Sequence, residues 1–443
     1  MNNQNLHTES INSNKNLIAN LSLIPGFNEL INKDDIDNSN ILKLNKTVCK
    51  SSNNQIFKLV KYDKNVLSYD LIKTYGLIRS VVLNSDNNII AFSPPKSIPS
   101  DEFIRNYPND YMNCSAKLNY CDIIAEEFVE GTMVNVFWDP TIGLTGAWEI
   151  STRNTIGAEC SFYKSSETKT FRDMFFEAAK YNNLLLDYLN PLYSYSFVLQ
   201  HPENRIVVPF KHPQLCLVAI YEIDNSDKNN IKVYSINLDS VKNLYLYGVN
   251  ISFPKRYNYG FDNYSDLIDK YASMNTPYHV VGVVFRNVIT GERAKVRNPV
   301  YEQVRKLRGN QPKLQYQYLC LRKEGKVRDF LNFYSENKKD FSAFRDQIHL
   351  FTETLYTNYI SCYIKKEKPL IHFSEQYRTH MFNIHKKYID ELRERKLVVT
   401  NTVVINYVNQ LHPSLLMYCL NFQMRKRNID TEIIDMEISD TNI

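Results

Sequence analysis

Cysteine pairs, long apolar runs and excess charge are all missing from this chain. Its eight cysteines are scattered from Cys49 to Cys419 with no Cys-x-x-Cys pair. That spacing argues against a disulfide framework and a structural zinc site, and predicts reduced, mostly buried thiols. No apolar run approaches the roughly 20 residues that span a bilayer. The start, Met1-Asn2-Asn3-Gln4-Asn5-Leu6, lacks the basic and apolar blocks of a secretory signal. The expectation is a cytoplasmic, non-secreted protein with no membrane partner. With 53 basic and 48 acidic residues the formal charge is only +5, so total charge does not establish a nucleic-acid partner and the placement of the charges must decide. His380 and His385 lie five apart, not at the four-residue spacing that aims two imidazoles at one metal, and no metal site is expected. No nucleophile elbow accompanies the serines, so a hydrolase is not proposed. The 12 glycines, alongside abundant Asn, Ile, Lys and Tyr, point to an AT-rich coding sequence and carry no mechanism.

What is present is a globular composition, 43% hydrophobic and 13% aromatic, long enough for two domains or more. Short β-branched runs separated by Asn/Asp turns predict strands at Arg79 to Leu83, Ile89 to Phe92, Met133 to Trp138, Trp148 to Thr152, Ser196 to Leu199, Arg205 to Phe210, Cys216 to Ile223 and His279 to Arg286. Between them Thr170 to Leu189 has helical periodicity. After Arg297 strand signals nearly stop, and Phe341 to Tyr363, His372 to Arg395 and Val403 to Met424 read as amphipathic helices. The fold class expected is α+β, a mostly antiparallel sheet domain followed by an all-α domain. Its parts are a polar lead-in over 1–50, a sheet domain over 51–330, a helical domain over 331–429 and an acidic tail over 430–443.

Glu127-Phe128-Val129-Glu130-Gly131-Thr132-Met133 is the most informative segment. It resembles the Glu-Lys-x-Asp-Gly-Ser-Leu motif of the phage-type ATP-dependent RNA ligases, the family that repairs cleaved tRNA. Other segments resemble that family's motifs in the same order: Arg79-Ser80-Val81-Val82-Leu83, then Ala91-Phe92-Ser93-Pro94-Pro95-Lys96, then Ser151-Thr152-Arg153-Asn154-Thr155. Phe197 to Val207 is similar to Phe-Glu-x-x-x-Pro-x-Asn-Arg-Ile-Val, Val281-Gly282-Val283-Val284 to Glu-Gly-Val-Val, and Lys295-Val296-Arg297 to the terminal Lys-x-Lys. Together they cover roughly residues 75 to 310. The resemblance implies a nucleotidyltransferase fold for the sheet domain. It also implies that Phe128 stands where the family's lysine attacks ATP, and that Val198 and Val281 stand where two glutamates serve the metal and ribose.

These replacements are apolar. A lysine nucleophile works because its amine can be deprotonated and aimed, and Mg²⁺ needs oxygen ligands; phenylalanine and valine supply neither. No catalytic residue is therefore assigned. The retained motif positions, Arg79, Lys96, Glu130, Gly131, Thr132, Arg153, Arg205, Lys295 and Arg297, are the expected nucleotide- or phosphate-binding set, since arginine and lysine suit phosphate oxygens. Surface ion pairing is the plain alternative for any one of them. Beyond the last motif, Arg305, Lys306, Arg308 and Lys313 with Tyr316 and Tyr318 form a basic, aromatic segment. That combination suits single-stranded or looped RNA, while a solvated face with core tyrosines is the bland reading.

The expectation is an RNA-ligase-like pseudoenzyme that binds RNA and/or nucleotide through a basic cleft. ATP and Mg²⁺ are cofactors only if nucleotide binding or activity is retained. One alternative is an active ligase using a displaced lysine, for which Lys117 and Lys164 are the nearest candidates. Another is an interaction scaffold with a vestigial pocket.

Overall fold

Branched and aromatic side chains pack well on a pleated surface, and most runs rich in them are strands in the computed structural model. It describes residues 15–32, 43–50, 55–108, 122–162, 169–239, 248–257 and 263–425. In chain order the strands are β1 (Lys15–Asn20), β2 (Leu44–Lys50), β3 (Ile56–Tyr62), β4 (Val81–Leu83), β5 (Ile89–Phe92), β6 (Ile123–Glu127), β7 (Thr132–Asp139), β8 (Ala147–Ser151), β9 (Tyr193–Gln200), β10 (Gln214–Asp224), β11 (Lys232–Ile236), β12 (Gly282–Asn287) and β13 (Arg293–Arg297). All neighbouring strands pair antiparallel. They form three sheets, ordered β1-β11-β10-β9-β7-β8, β13-β12-β6 and β2-β3-β4-β5. With them go α1 (Phe27–Asn32), α2 (Ser100–Asn106), α3 (Phe171–Tyr181), α4 (Tyr264–Tyr271) and α5 (Pro299–Arg308). No helix among the described residues is long and apolar enough to cross a membrane.

Several cores hold this unit, three of which position the site. Val134, Phe197 and Leu217 of the six-stranded sheet pack on Met174, Phe175 and Ala178 of α3. Ala219, Tyr221 and Val233 of the same sheet meet Val60, Val81 and Phe92 of the four-stranded one. In the three-stranded sheet Ala125, Val283, Phe285 and Ala294 pack on Phe103 of α2 and on Tyr264 and Leu267 of α4. Alternation along a strand then sends Val284, Arg286, Arg293, Lys295 and Arg297 to the opposite face.

Several expectations differ from what is seen. The polar lead-in holds strand and helix where it is described: β1 pairs with β11, more than 200 residues away, and Ala19 and Leu21 are buried. Local composition cannot show so distant a partner. Arg205 to Phe210 is not a strand, because Glu130 Oε1 accepts the backbone N–H groups of Val207 and Val208, at 2.9 and 3.0 Å. The helix starting at Thr170 has its capping box with Asp173 but stops at Tyr181, and Asn183 then takes a left-handed conformation at φ 56°.

The contact division falls between Arg305 and Lys306, inside α5, rather than near 330. The second unit is helical: α6 (Leu314–Lys323), α7 (Val327–Phe333), α8 (Lys338–Tyr359), α9 (Glu375–Lys387), α10 (Asn401–Gln410) and α11 (Pro413–Leu420). Proline at the first position of α11 splits the helix expected over Val403 to Met424, since its ring cannot continue a preceding turn. The acidic tail lies outside the described residues.

Two glycines are dictated by close approach. A Cβ at Gly131, φ 145°, would stand 2.3 Å from the Leu199 carbonyl oxygen, and one at Gly282, φ 142°, would stand 2.1 Å from that of Val296. Gly143, at φ 63° with nothing within 4 Å, is a control. Gly131→Ala and Gly282→Ala should each cost about 2–4 kcal/mol in urea unfolding, against about 1 kcal/mol for Gly143→Ala.

Candidate phosphate-binding site

The charged face of the three-stranded sheet opens on a cavity of about 250 Å³. Register explains its lining: Val284 of β12 lies opposite both Glu126 of β6 and Lys295 of β13, while Arg286 lies opposite Arg293. Just past β6, Phe128 donates its backbone N–H to the Gly282 carbonyl at 3.3 Å, which keeps its ring beside the same row. Val198 and Gly131 contribute from the neighbouring sheet, and Arg79 from the residues before β4. The cavity thus carries Arg79, Arg286, Arg293, Lys295 and Arg297 against Glu126 and Glu127.

These cations are not equivalent. Arg286 pairs with Glu126 at 3.1 Å. Arg293 is a clamp: its Nε and Nη2 donate to the Pro95 carbonyl at 3.1 and 2.6 Å, and Nη2 also to Pro94 at 3.1 Å. Burial lowers its pKa to about 10, so it remains charged at neutral pH. Arg297 pairs with Glu302 at 3.1 Å and is 44% exposed. Burial pulls the Arg79 guanidinium below the ordinary range, with Arg153 adding repulsion.

Lys295 is the extreme case. Burial, then the charges of Arg293, Arg79, Arg297 and Lys96, pull its amine down to about 6. In place of a carboxylate it has the Phe128 ring, with Nζ 4.5 Å from the centroid; the Arg297 guanidinium lies 5.3 Å from the same centroid. Tyr221 faces the cavity as a protonated hydroxyl, its pKa pushed up to about 12 by burial.

The structure brings together part of the expected set. Arg79, Gly131, Lys295, Arg297, Phe128 and Val198 line the cavity. Lys96 and Arg153 stand outside its lining but within electrostatic range of it: Arg79, Arg297, Arg293 and Arg153 all act on Lys96, and Arg153 lies 4.7 Å over the Tyr62 ring. Val281 is buried and outside the lining. Glu130 is occupied with the Val207–Val208 loop, and burial raises its pKa. Thr132 accepts from Asn204 at 2.8 Å, and Arg205 donates to the Val207 carbonyl at 2.9 Å, so all three are tied into the loop.

Arg293 and Arg286 were not anticipated. The signal for Arg293 is the alternation Arg293-Ala294-Lys295-Val296-Arg297, which puts three cations on one strand face. Lys117 and Lys164 lie outside the described residues. Among those described, no three His, Cys, Asp or Glu side chains gather as metal ligands. With Val198 apolar and Glu126 tied to Arg286, the cavity's donor set does not fit a divalent ion held by side chains.

In the second unit, Tyr318 is 4% exposed, with its ring centroid 4.9 Å from that of Phe341 and 5.8 Å from that of Phe344, so it is a core residue and not a base-stacking platform. Arg308 is buried and Arg305 pairs with Glu302 at 3.2 Å. Lys306 and Lys313 are exposed and Tyr316 is half-buried.

A lysine neutral in the folded chain and charged in the unfolded one leaves the extra proton on the unfolded state between pH of about 6 and the ordinary lysine range. Stability therefore falls as pH drops through that window. Lys295→Met should raise stability at pH 7 by about 1–4 kcal/mol. The gain should shrink toward pH 10, read by urea unfolding at both pH values.

The comparisons with known proteins point to the RNA ligases. No protein-family model matches the chain. The RNA ligase of Rhodothermus phage RM378 is 25% identical over 292 residues, covering 59% of this chain and 64% of that protein. The chain thus spans less than two thirds of that relative's length. Among solved structures, a mutant Naegleria gruberi RNA ligase with ATP and Mn is 12% identical, covering 42% of this chain and 51% of that one, at a TM-score of 0.29. The same ligase with PPi gives 13% identity, the same coverage and a TM-score of 0.29. Superpositions that loose carry no structural argument. The sequence match to the phage protein, spread over more than half of the chain, supports a family relationship to the RNA ligases.

Proposed function

We propose that the protein holds phosphate groups of RNA or of a nucleotide in the cavity of its first unit, without a covalent lysyl-nucleotide at position 128. The observation that carries this reading is a cavity rich in arginine and lysine around a phenyl ring, with Lys295 surrounded by positive charge. Buried like charges repel, and an anion with several oxygens relieves that repulsion while giving guanidinium forks their preferred acceptors. A phenyl ring has no lone pair with which to attack phosphorus.

The relationship to RNA ligases supports RNA and ATP as the ligands to test first. ATP in this reading is a bound ligand, and any Mg²⁺ arrives with its phosphates rather than in a protein cage. In the second unit Lys306, Lys313 and Tyr316 are the expected RNA contacts, because the other residues of that segment are committed elsewhere.

Incubation with radiolabelled ATP and Mg²⁺ or Mn²⁺ should leave no label on the denatured protein. Phe128→Lys alone should not create one, because Val198 still offers no metal ligand and the new amine joins an already crowded set of cations. A label mapping to any lysine would reinstate the active-ligase reading.

Binding of a single-stranded oligoribonucleotide, followed by fluorescence anisotropy, tests the ligand. Arg79→Ala and Arg297→Ala should each weaken it and lower the salt slope by roughly 0.7 per lost phosphate contact. Lys306→Ala with Lys313→Ala should do likewise. Wild-type protein that binds neither the oligonucleotide nor ATP would instead favour an interaction scaffold.

A further inference from the structure

We propose that Phe128 is a positioning residue for anion binding: its ring holds Arg297 at the cavity wall and, once an entering anion has drawn a proton onto Lys295, holds that ammonium beside it. This rests on the phosphate-binding reading above and goes beyond it, since that reading requires only that position 128 be inert.

The geometry is specific. Both cationic groups lie within 6 Å of one ring centroid, Lys295 at 4.5 Å and Arg297 at 5.3 Å. An aromatic face attracts cations through its quadrupole. That attraction acts on Arg297 in the free protein and on Lys295 once it is protonated, and it leaves the charge of both unneutralised. A carboxylate at position 128 would hold Lys295 protonated beforehand, offset its charge and compete with an incoming anion. An aliphatic side chain would leave Arg297 and the protonated Lys295 repelling with nothing to hold them.

The groups facing Lys295 set its proton balance. Arg293 and Arg297 flank it on β13, while Arg79 and Lys96 act on it from the segments bordering β4 and β5. Glu126 and Glu127 border the cavity, but Glu126 is engaged by Arg286. Tyr221 faces it as a neutral hydroxyl. The charges that act most strongly on Lys295 are therefore positive, and together with burial they pull its amine down to about 6, which leaves it mostly neutral near pH 7. A bound dianion reverses the sign of the local field, so the amine accepts a proton and becomes a further donor to the ligand.

Inorganic sulfate is a suitable probe because it stays a dianion across the working pH range. Calorimetry at pH 7.5 in two buffers of different ionisation heat should show close to one proton taken up per sulfate bound. Affinity should fall by up to about tenfold per pH unit as pH rises from 6.5 to 8.5. Lys295→Arg, permanently charged, should bind sulfate without proton uptake and with a flat pH profile. Phe128→Leu should weaken binding roughly 5- to 30-fold, the equilibrium equivalent of a desolvated cation–π contact. Phe128→Tyr should retain wild-type affinity. Thermal unfolding confirms that each variant is folded.

Sulfate binding with no proton uptake, or with Phe128→Leu equal to wild type, overturns this proposal and leaves phosphate binding intact. Failure of the wild-type protein to bind sulfate, oligoribonucleotide or ATP overturns both.

Discussion

Like charges crowded on the face of one strand are the constraint around which the rest of the site is arranged. Arg293, Lys295 and Arg297 alternate along β13, and alternate residues of a strand stand about 6.8 Å apart on the same side. The strand cannot relieve this by shifting register. A slip of one residue would drive Ala294 and Val296 out of the core and three cations into it, and Gly282 is already in close approach to the Val296 carbonyl. The charges are accommodated one at a time: carbonyl oxygens for Arg293, a glutamate for Arg297, loss of the proton for Lys295. Only the last of these leaves a group whose protonation would respond to an anion, as proposed above.

The apolar replacements follow from the same balance. Removing one partner of a buried charge pair leaves a costly uncompensated charge, whereas hydrophobic replacement can be neutral or stabilising. A lysine at position 128 would sit against Lys295 and Arg297, the two groups that now face the phenyl ring. Val198, on β9 opposite Met133, fits its wall of the cavity without bringing a charge that needs a partner. Glu130 shows the complementary outcome. It carries a carboxylate at its motif position, and one of its oxygens accepts from the Val207 and Val208 amides, which shapes the loop after β9.

Much of the α+β pattern was legible because strands and amphipathic helices announce themselves within a few residues. The positions of Lys295, Arg297 and Arg79 were legible through motif order, which carries information about distant neighbours that local periodicity does not. Arg293 escaped because it lies outside the quoted motif, although the alternation of β13 already placed it on the same face as Lys295. The strand at Lys15–Asn20 escaped because its partner, β11, lies far away in sequence. Tyr318 was misread because a tyrosine among basic residues looks the same in sequence whether its ring faces solvent or, as here, Phe341. Capture of the Val207 and Val208 amides by a side chain some 77 residues earlier could not be seen in the run itself, which therefore read as a strand.

The residues still available for a ligand in the two units differ in kind. In the second unit Arg308 is buried, Arg305 at its border pairs with Glu302, and Tyr318 is core, which leaves exposed lysines. Exposed lysines contribute charge that salt screens and little geometric selectivity. The first unit encloses guanidinium groups and the Lys295 amine where solvent screening is weaker, with carbonyls, a carboxylate and a ring as their neighbours. In the proposed reading, selectivity for the shape and charge of a phosphate therefore rests on the cavity's fixed donors, because the exposed lysines of the helical unit offer charge without a fixed geometry.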